Sequence, residues 1–198
     1  MNLEVGQLVT VVVHRDVWAR LFTAEVVSNE PMRLKVFVDE ISAVHDGDQA
    51  LILADRSEKP GKARTSIKQA FQDGDHLMVN VENLEWESED RRRYKRFDLR
   101  IPIEMSVVYE DDGDVNIKVV QGTSRDISLG GAWIEIESPL PKDTLVEFRT
   151  WVGPGKMVRC LSLVVHCSEE RGGMGIEFVN YLENSLETLE EAFNEQAA

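Results

Sequence analysis

The stretch Ile101-Pro102-Ile103-Glu104-Met105-Ser106-Val107-Val108-Tyr109 runs through Glu110 into Asp111-Asp112-Gly113-Asp114 and then Val115-Asn116-Ile117-Lys118-Val119. Ile101, Ile103, Met105, Val107 and Tyr109 occupy every second position, the period of a strand that offers one face to a core. Asp-Gly tolerates the positive φ of a tight hairpin turn, and Val115, Ile117 and Val119 resume the alternation on the way back. This segment reads as a β-hairpin, and the same pattern extends in both directions from it.

Toward the C-terminus, Trp133 to Ile136, Leu145 to Phe148, Met157 to Val165 and Gly175 to Val179 are further strand candidates. Leu182, Leu186, Leu189 and Phe193 then recur at helical spacing, with Asn184 and Glu187 placed for a capping box. A short amphipathic helix should close the chain against a barrel. Toward the N-terminus, Val9, Val11 and Val13 share one face of a strand, and Leu34, Val36 and Val38 alternate with Arg33, Lys35 and Phe37 in another. Ala50 to Leu53 and Leu77 to Val81 add two more, entered from the turn signals Asp46-Gly47-Asp48 and Asp73-Gly74-Asp75. Asp55 to Lys68, polar and carrying Pro60-Gly61, reads as a loop. Closure is how small antiparallel sheets avoid exposed edges, so the first part is expected to be a barrel or sandwich of about 5–7 strands.

The predicted fold class is therefore mainly β: two small β-barrels joined by a short linker, with a short C-terminal amphipathic helix. Residues 1–86 form the first barrel, 87–96 the linker and lead-in, and 97–198 the second barrel with its helix.

Composition narrows the function. The chain has 198 residues, 36 acidic against 22 basic, and a net charge of −14, which argues against general affinity for nucleic acid, whose phosphates call for Lys and Arg. With 42% hydrophobic side chains it can bury a core. No apolar run nears the ~20 residues that span a bilayer, so membrane insertion is not expected. Met1-Asn2-Leu3-Glu4 has none of the features of a signal peptide, and a cytoplasmic location is expected. Cys160 and Cys167, with six residues between them, fit neither a metal knuckle nor a redox pair, and His14, His45, His76 and His166 are scattered singly. No metal or other cofactor is indicated.

Catalytic templates fail too. Gly153-Pro154-Gly155-Lys156 ends like a phosphate loop, but Thr150 stands where that motif needs Gly and Met157 where it needs Ser or Thr, so it reads as a turn. Gly172-Gly173-Met174-Gly175 lacks the GxGxxG spacing and reads as a turn with close backbone approach. There is no GxSxG elbow. The chain is not expected to be an enzyme.

Two segments stand out from this background. Five acids, Glu82, Glu85, Glu87, Glu89 and Asp90, abut Arg91-Arg92-Arg93-Tyr94-Lys95-Arg96, a local +5 on a strongly acidic chain. The reversal of charge marks a domain boundary. Taken by itself the basic run can be a solvated linker paired with those acids. Arginine's planar fork can also grip a phosphate or the O6/N7 edge of guanine. In Asp126-Ile127-Ser128-Leu129-Gly130-Gly131, the carboxylate and hydroxyl alternate with apolar residues and can share one face of a strand, a pattern suited to the donor edge of guanine. Alone, it is an Asp-rich turn.

Together, Arg92-Arg93-Tyr94-Lys95-Arg96 and Asp126-Ile127-Ser128-Leu129-Gly130-Gly131 resemble the RxxxR and D/N-x-S-x-x-G pattern of the PilZ domain, the bacterial receptor module for cyclic diguanylate (cyclic di-GMP). Trp133-Ile134 and Gly175-Ile176-Glu177-Phe178 look like that family's later strands, and the resemblance covers residues 91 to 181. It implies a six-stranded barrel with the ligand held between the lead-in and the Asp-Ser-Gly surface. Arg92 and Arg96 would contact phosphate and guanine edges, Asp126 and Ser128 the base, and Gly131 would allow close packing. An arginine directly before the motif, here Arg91, is associated in the family with a stacked pair of ligand molecules. The preceding barrel is similar in domain order and strand density to that of flagellar-brake-type proteins.

These features lead to the expectation of a non-enzymatic cyclic di-GMP receptor that changes its inter-domain arrangement on binding and signals to a protein effector such as a flagellar motor or polysaccharide synthase. The alternative is a PilZ-fold adaptor that works by protein contacts without nucleotide. A third class, single-stranded nucleic-acid binding, would need aromatic platforms in a basic groove, and the net charge counts against it.

Overall fold

The computed structural model describes residues 3–37, 44–54, 61–86, 94–111, 114–168 and 170–197. The chain divides into two compact units, Met1–Glu89 and Asp90–Ala198.

The first unit is a closed six-stranded antiparallel barrel. Its strands are β1 (Leu8–Arg15), β2 (Trp18–Asn29), β3 (Met32–Phe37), β4 (Gln49–Ala54), β5 (Gly61–Asp73) and β6 (His76–Trp86), in the order β1-β2-β3-β6-β5-β4. Period-2 alternation sends Val9, Val11 and Val13 inward to meet Phe22, Ala24 and Val26 from β2, Ile52 from β4 and Leu77, Val79 and Val81 from β6.

The stretch expected to be a loop is in its second half strand. From Gly61 onward β5 buries Ala63, Thr65 and Ile67 on its inward face. The outward Lys62, Arg64 and Ser66 mask the alternation in the sequence. The buried Thr65 hydroxyl donates to the Glu82 carbonyl at 2.6 Å, which satisfies the one polar group the strand turns inward. Residues 55–60 of that expected loop, and Val38 of the strand read over residues 33–38, lie outside the described residues.

The second unit is a second closed six-stranded barrel. It comprises β7 (Pro102–Asp111), β8 (Asp114–Ser128), β9 (Gly131–Glu135), β10 (Leu145–Gly153), β11 (Lys156–Ser168) and β12 (Gly173–Tyr181), in the order β10-β11-β12-β9-β8-β7, followed by the helix α1 (Ser185–Ala197). Its core joins Ile103, Met105 and Val107 to Ile127, Ile134, Phe148, Ile176 and Phe178. The rings of Phe148 and Phe178 meet with centroids 5.1 Å apart at 50°. Cys160 is buried in this core, where desolvation pushes its thiol up, while Cys167 is exposed; both are free.

The hairpin expected over residues 101–119 forms, with Asp111 opposite Asp114; Asp112 and Gly113 themselves lie outside the described residues. Its return strand differs from a simple inward alternation. Register places Val120 opposite the buried Met105, so Ile117 and Val119 face solvent, 68% and 54% exposed, beside Val108 at 64%. Gly153 pairs with Lys156 around Pro154-Gly155, with Gly155 at φ +70, so that glycine motif is a hairpin turn.

Helix α1 docks on its own barrel. Leu182, Leu189, Ala192 and Phe193 are buried, and Phe193 stacks on Phe97 with centroids 4.1 Å apart. Leu186, expected on the buried stripe, is exposed; Ala192 takes that role. The Arg159 amide donates to Ser185 Oγ at 2.9 Å and Lys156 Nζ to Glu195 at 2.7 Å, which ties both ends of the helix to β11. Among the described residues no helix is long and apolar enough to cross a membrane.

Candidate functional site

Asp126 to Gly131 is the hairpin between β8 and β9. Ser128 pairs with Gly131 around Leu129-Gly130, and Asp126 pairs with Trp133. Ile127 between them is fully buried in the core, which turns the Asp126 carboxylate to the outer face of the barrel. Ser128 is buried and spends its hydroxyl on the turn: Oγ accepts from the Gly130 amide and donates to the Gly131 carbonyl, both at 3.2 Å. The turn is braced from β12, where the Phe178 amide donates to the Gly130 carbonyl at 3.0 Å and the Tyr181 hydroxyl to the Leu129 carbonyl at 2.7 Å.

Gly131 is required by its neighbour strand. A Cβ there would stand 2.1 Å from the Ile176 carbonyl oxygen, so only glycine lets β9 approach β12 at this point. Gly130 is covered as well: a Cβ there would lie 2.9 Å from Cδ2 of Tyr94. The close packing expected at Gly131 is thus packing of strand on strand, and the companion glycine packs against the lead-in.

The described residues that lead into β7, 94–101, run along the end of β8. Phe97 exchanges two backbone bonds with Ile127, at 2.9 and 3.0 Å, as an antiparallel bridge. The fully buried Ser124 hydroxyl accepts from the Ile101 amide at 3.1 Å and donates to the Leu99 carbonyl. Lys95 Nζ stands 4.9 Å from the centroid of the Phe97 ring. Between these anchors Arg96 Nη1 donates to Asp126 Oδ1 at 3.0 Å, with the arginine side chain 54% exposed and the carboxylate 17%.

The structure thus brings together two of the six site residues read from the sequence, Arg96 and Asp126, with Ser128 and Gly131 in the adjoining turn. Arg91 and Arg92 lie outside the described residues. Four residues that the motif reading passed over belong to the same surface: Tyr94 over Gly130, Arg100 bonded twice to Glu135 at 3.0 Å, and Trp133 beside Asp126. Arg100 repeats the four-residue spacing of Arg92 and Arg96, the one sequence signal that could have pointed to it. No group of three or more metal-ligating side chains occurs among the described residues. An exposed guanidinium beside a partly shielded carboxylate offers donors and an acceptor at one place, which suits a ligand that is both anionic and polar-edged.

No curated protein matches the sequence. Among solved structures, the Bacillus subtilis inhibitor of motility (MotI/DgrA) aligns with a TM-score of 0.41 at 14% identity, covering 98% of each chain. YcgR from Escherichia coli, solved in complex with c-di-GMP, aligns at 0.42 and 14%, covering 96% of this chain and 84% of that one. MrkH from K. pneumonia, also solved as a c-di-GMP complex, aligns at 0.40 and 12%, covering 95% and 87%. Sequence comparison with protein families matches the PilZ domain over residues 90–195, a span that takes in the arginine lead-in, the Asp126 hairpin and the whole second barrel, and the chain therefore belongs to the PilZ domain family.

Proposed function

We propose that the chain is a non-enzymatic receptor for cyclic di-GMP that changes its inter-domain arrangement on binding and passes that state to a protein effector. The observation that carries this reading is the Arg96–Asp126 contact, 3.0 Å across 30 residues of sequence, which joins the two halves of the family pattern on one surface of the barrel. Arg92 and Arg96 would grip phosphate and guanine edges, and Asp126 would accept from the N–H groups of the base. Ser128, by holding the turn, and Gly131, by closing the strand pair, set the shape of that surface. The lead-in follows directly on the boundary between the two units at Glu89 and Asp90, so ordering it by charge-assisted contacts would favour one inter-domain arrangement over others. A flagellar motor component or a polysaccharide synthase is the proposed kind of effector.

Calorimetric titration of the full chain with cyclic di-GMP, and with its adenine analogue as a control, tests the reading. Saturable binding of the guanine ligand and weak or no binding of the adenine one is expected, with two molecules per chain where Arg91 supports a stacked pair. No binding would overturn the receptor. The adaptor reading, in which protein contacts alone carry the function, draws on a different observation, the exposed apolar strip of Val108, Ile117 and Val119.

A further inference from the structure

Arg96 and Arg100 stand four residues apart on the segment that runs into β7, and each is paired with a carboxylate of the barrel, Asp126 and Glu135. Trp133 lies between those pairs. It is the register partner of Asp126, and Glu135 follows it by two residues on the same face of β9, about 6.8 Å further along the strand. The indole is laid across the backbone of β12: a Cβ on Gly175 would sit 3.7 Å from its Cε3, and one on Gly173 3.1 Å from its Nε1. Nε1 is buried and has no acceptor among the described residues. The ring of the exposed His166 flanks it at 6.0 Å. Between the two ion pairs the indole, itself buried, packs on the glycine backbone of β12, with an arginine at either end.

Arg100 gives two donors to Glu135 in a bidentate fork, yet its side chain is 65% exposed. An ion pair so exposed contributes little net stability and can be exchanged for another anion at small cost. A phosphodiester offers the same fork two oxygens and, like the carboxylate, a single negative charge. Deepening the reading of the chain as a cyclic di-GMP receptor, on which it rests, we infer that Arg100 is a further ligand-binding residue: it grips a phosphate of the cyclic dinucleotide whose guanine lies at Asp126, and Glu135 is the built-in competitor that holds Arg100 until the ligand displaces it. Two phosphates on one ring match two arginines spaced along one face.

Glu135 gives the inference a distinctive signature, because a competitor and a structural partner respond oppositely to removal. Titration of the full chain with cyclic di-GMP is expected to show Arg100→Ala binding about ten- to a hundredfold more weakly than wild type. Glu135→Gln, which frees Arg100, should bind about two- to fivefold more tightly. The double variant should match Arg100→Ala, since a freed partner is of no use without the arginine. Arg100→Lys keeps the charge without the fork, and serves in place of the alanine variant should the latter melt early; it should also bind more weakly than wild type. Wild-type binding with an unchanged affinity in a folded Arg100 variant, or weakened binding in Glu135→Gln, overturns the inference alone. Absence of binding by the wild type overturns the receptor reading and this inference together.

Discussion

Arg96 and Asp126 hold each other at 3.0 Å, with the arginine more than half exposed, and magnitudes decide what the loss of Arg96 does. A surface ion pair is worth about 0–1 kcal/mol to the fold, whereas one well-placed arginine contact to a base edge is worth about 1–3 kcal/mol of recognition. Arg96→Ala should therefore leave the melting temperature nearly unchanged while weakening cyclic di-GMP binding about ten- to a hundredfold. Calorimetry and thermal melting on the same preparation check both halves, and an unchanged affinity would remove Arg96 from the site. At this scale the sequence was informative about Arg96 and Asp126 because both are polar residues in a spaced pattern. It was less so about Ser128, whose two bonds to the Gly130 amide and Gly131 carbonyl depend on how tightly the turn closes.

Between β9 and β12 the limiting dimension is backbone against backbone. The absent Cβ of Gly131 would meet the Ile176 carbonyl oxygen at 2.1 Å, and that oxygen cannot swing aside as a side-chain tip can. Gly131→Ala is expected to cost on the order of 1–3 kcal/mol or more, as β9 is forced off its partner. Gly153→Ala, where the nearest atom is Lys156 Cδ at 3.5 Å, is the matched control and should cost clearly less. Urea denaturation midpoints of the two variants compare them directly, and equal midpoints would mean that the strand pair yields easily. The element scale is also where the sequence reading of β5 failed. Lys62, Arg64 and Ser66 made residues 61–68 look polar throughout, while their neighbours Ala63, Thr65 and Ile67 fill the barrel.

For the molecule as a whole, acid and ligand are the two levers. His14 is buried, and its pKa is lowered to about 4 chiefly by desolvation, with Arg64 adding to the shift and Asp48 opposing it. The native state keeps it neutral, whereas the unfolded chain takes up its proton below about 6.5. Stability is then fully present above that value and is lost as the pH falls toward 4, by about 2 kcal/mol between pH 7 and pH 5. Glu147 is also held below the ordinary carboxylate range, first by its hydrogen bond from Arg149, but the stability it contributes is lost only at lower pH, outside that window. Denaturation curves at pH 7 and pH 5 should show the loss in wild type and not in His14→Gln; an equal loss in both would assign it elsewhere.

The proposed inter-domain response is read at the same scale. Small-angle scattering at constant mass should change when cyclic di-GMP saturates the chain, by an extent set by the ligand's differential affinity for the two arrangements. Superimposable profiles would place the output on the ligand-covered surface instead.

Alternation of period two, the Asp-Gly turn and the reversal from five acids to the arginine run are local features, and they sufficed for two β-rich barrels and a family pattern. Helical spacing likewise announced α1, because an apolar stripe needs no partner to be visible. What the local pattern leaves open is which side of an alternating strand is the inside. Ile117 and Val119 alternate as cleanly as Ile103 and Met105, and only the pairing of Met105 with Val120 sends the first two to solvent. The ion pairs Arg96–Asp126 and Arg100–Glu135, closed across 30 and 35 residues, likewise exist only after β8 and β9 have folded back beside the lead-in. Periodicity is written in neighbours along the chain, but facing and partnership are properties of register, and register is decided when the barrel closes.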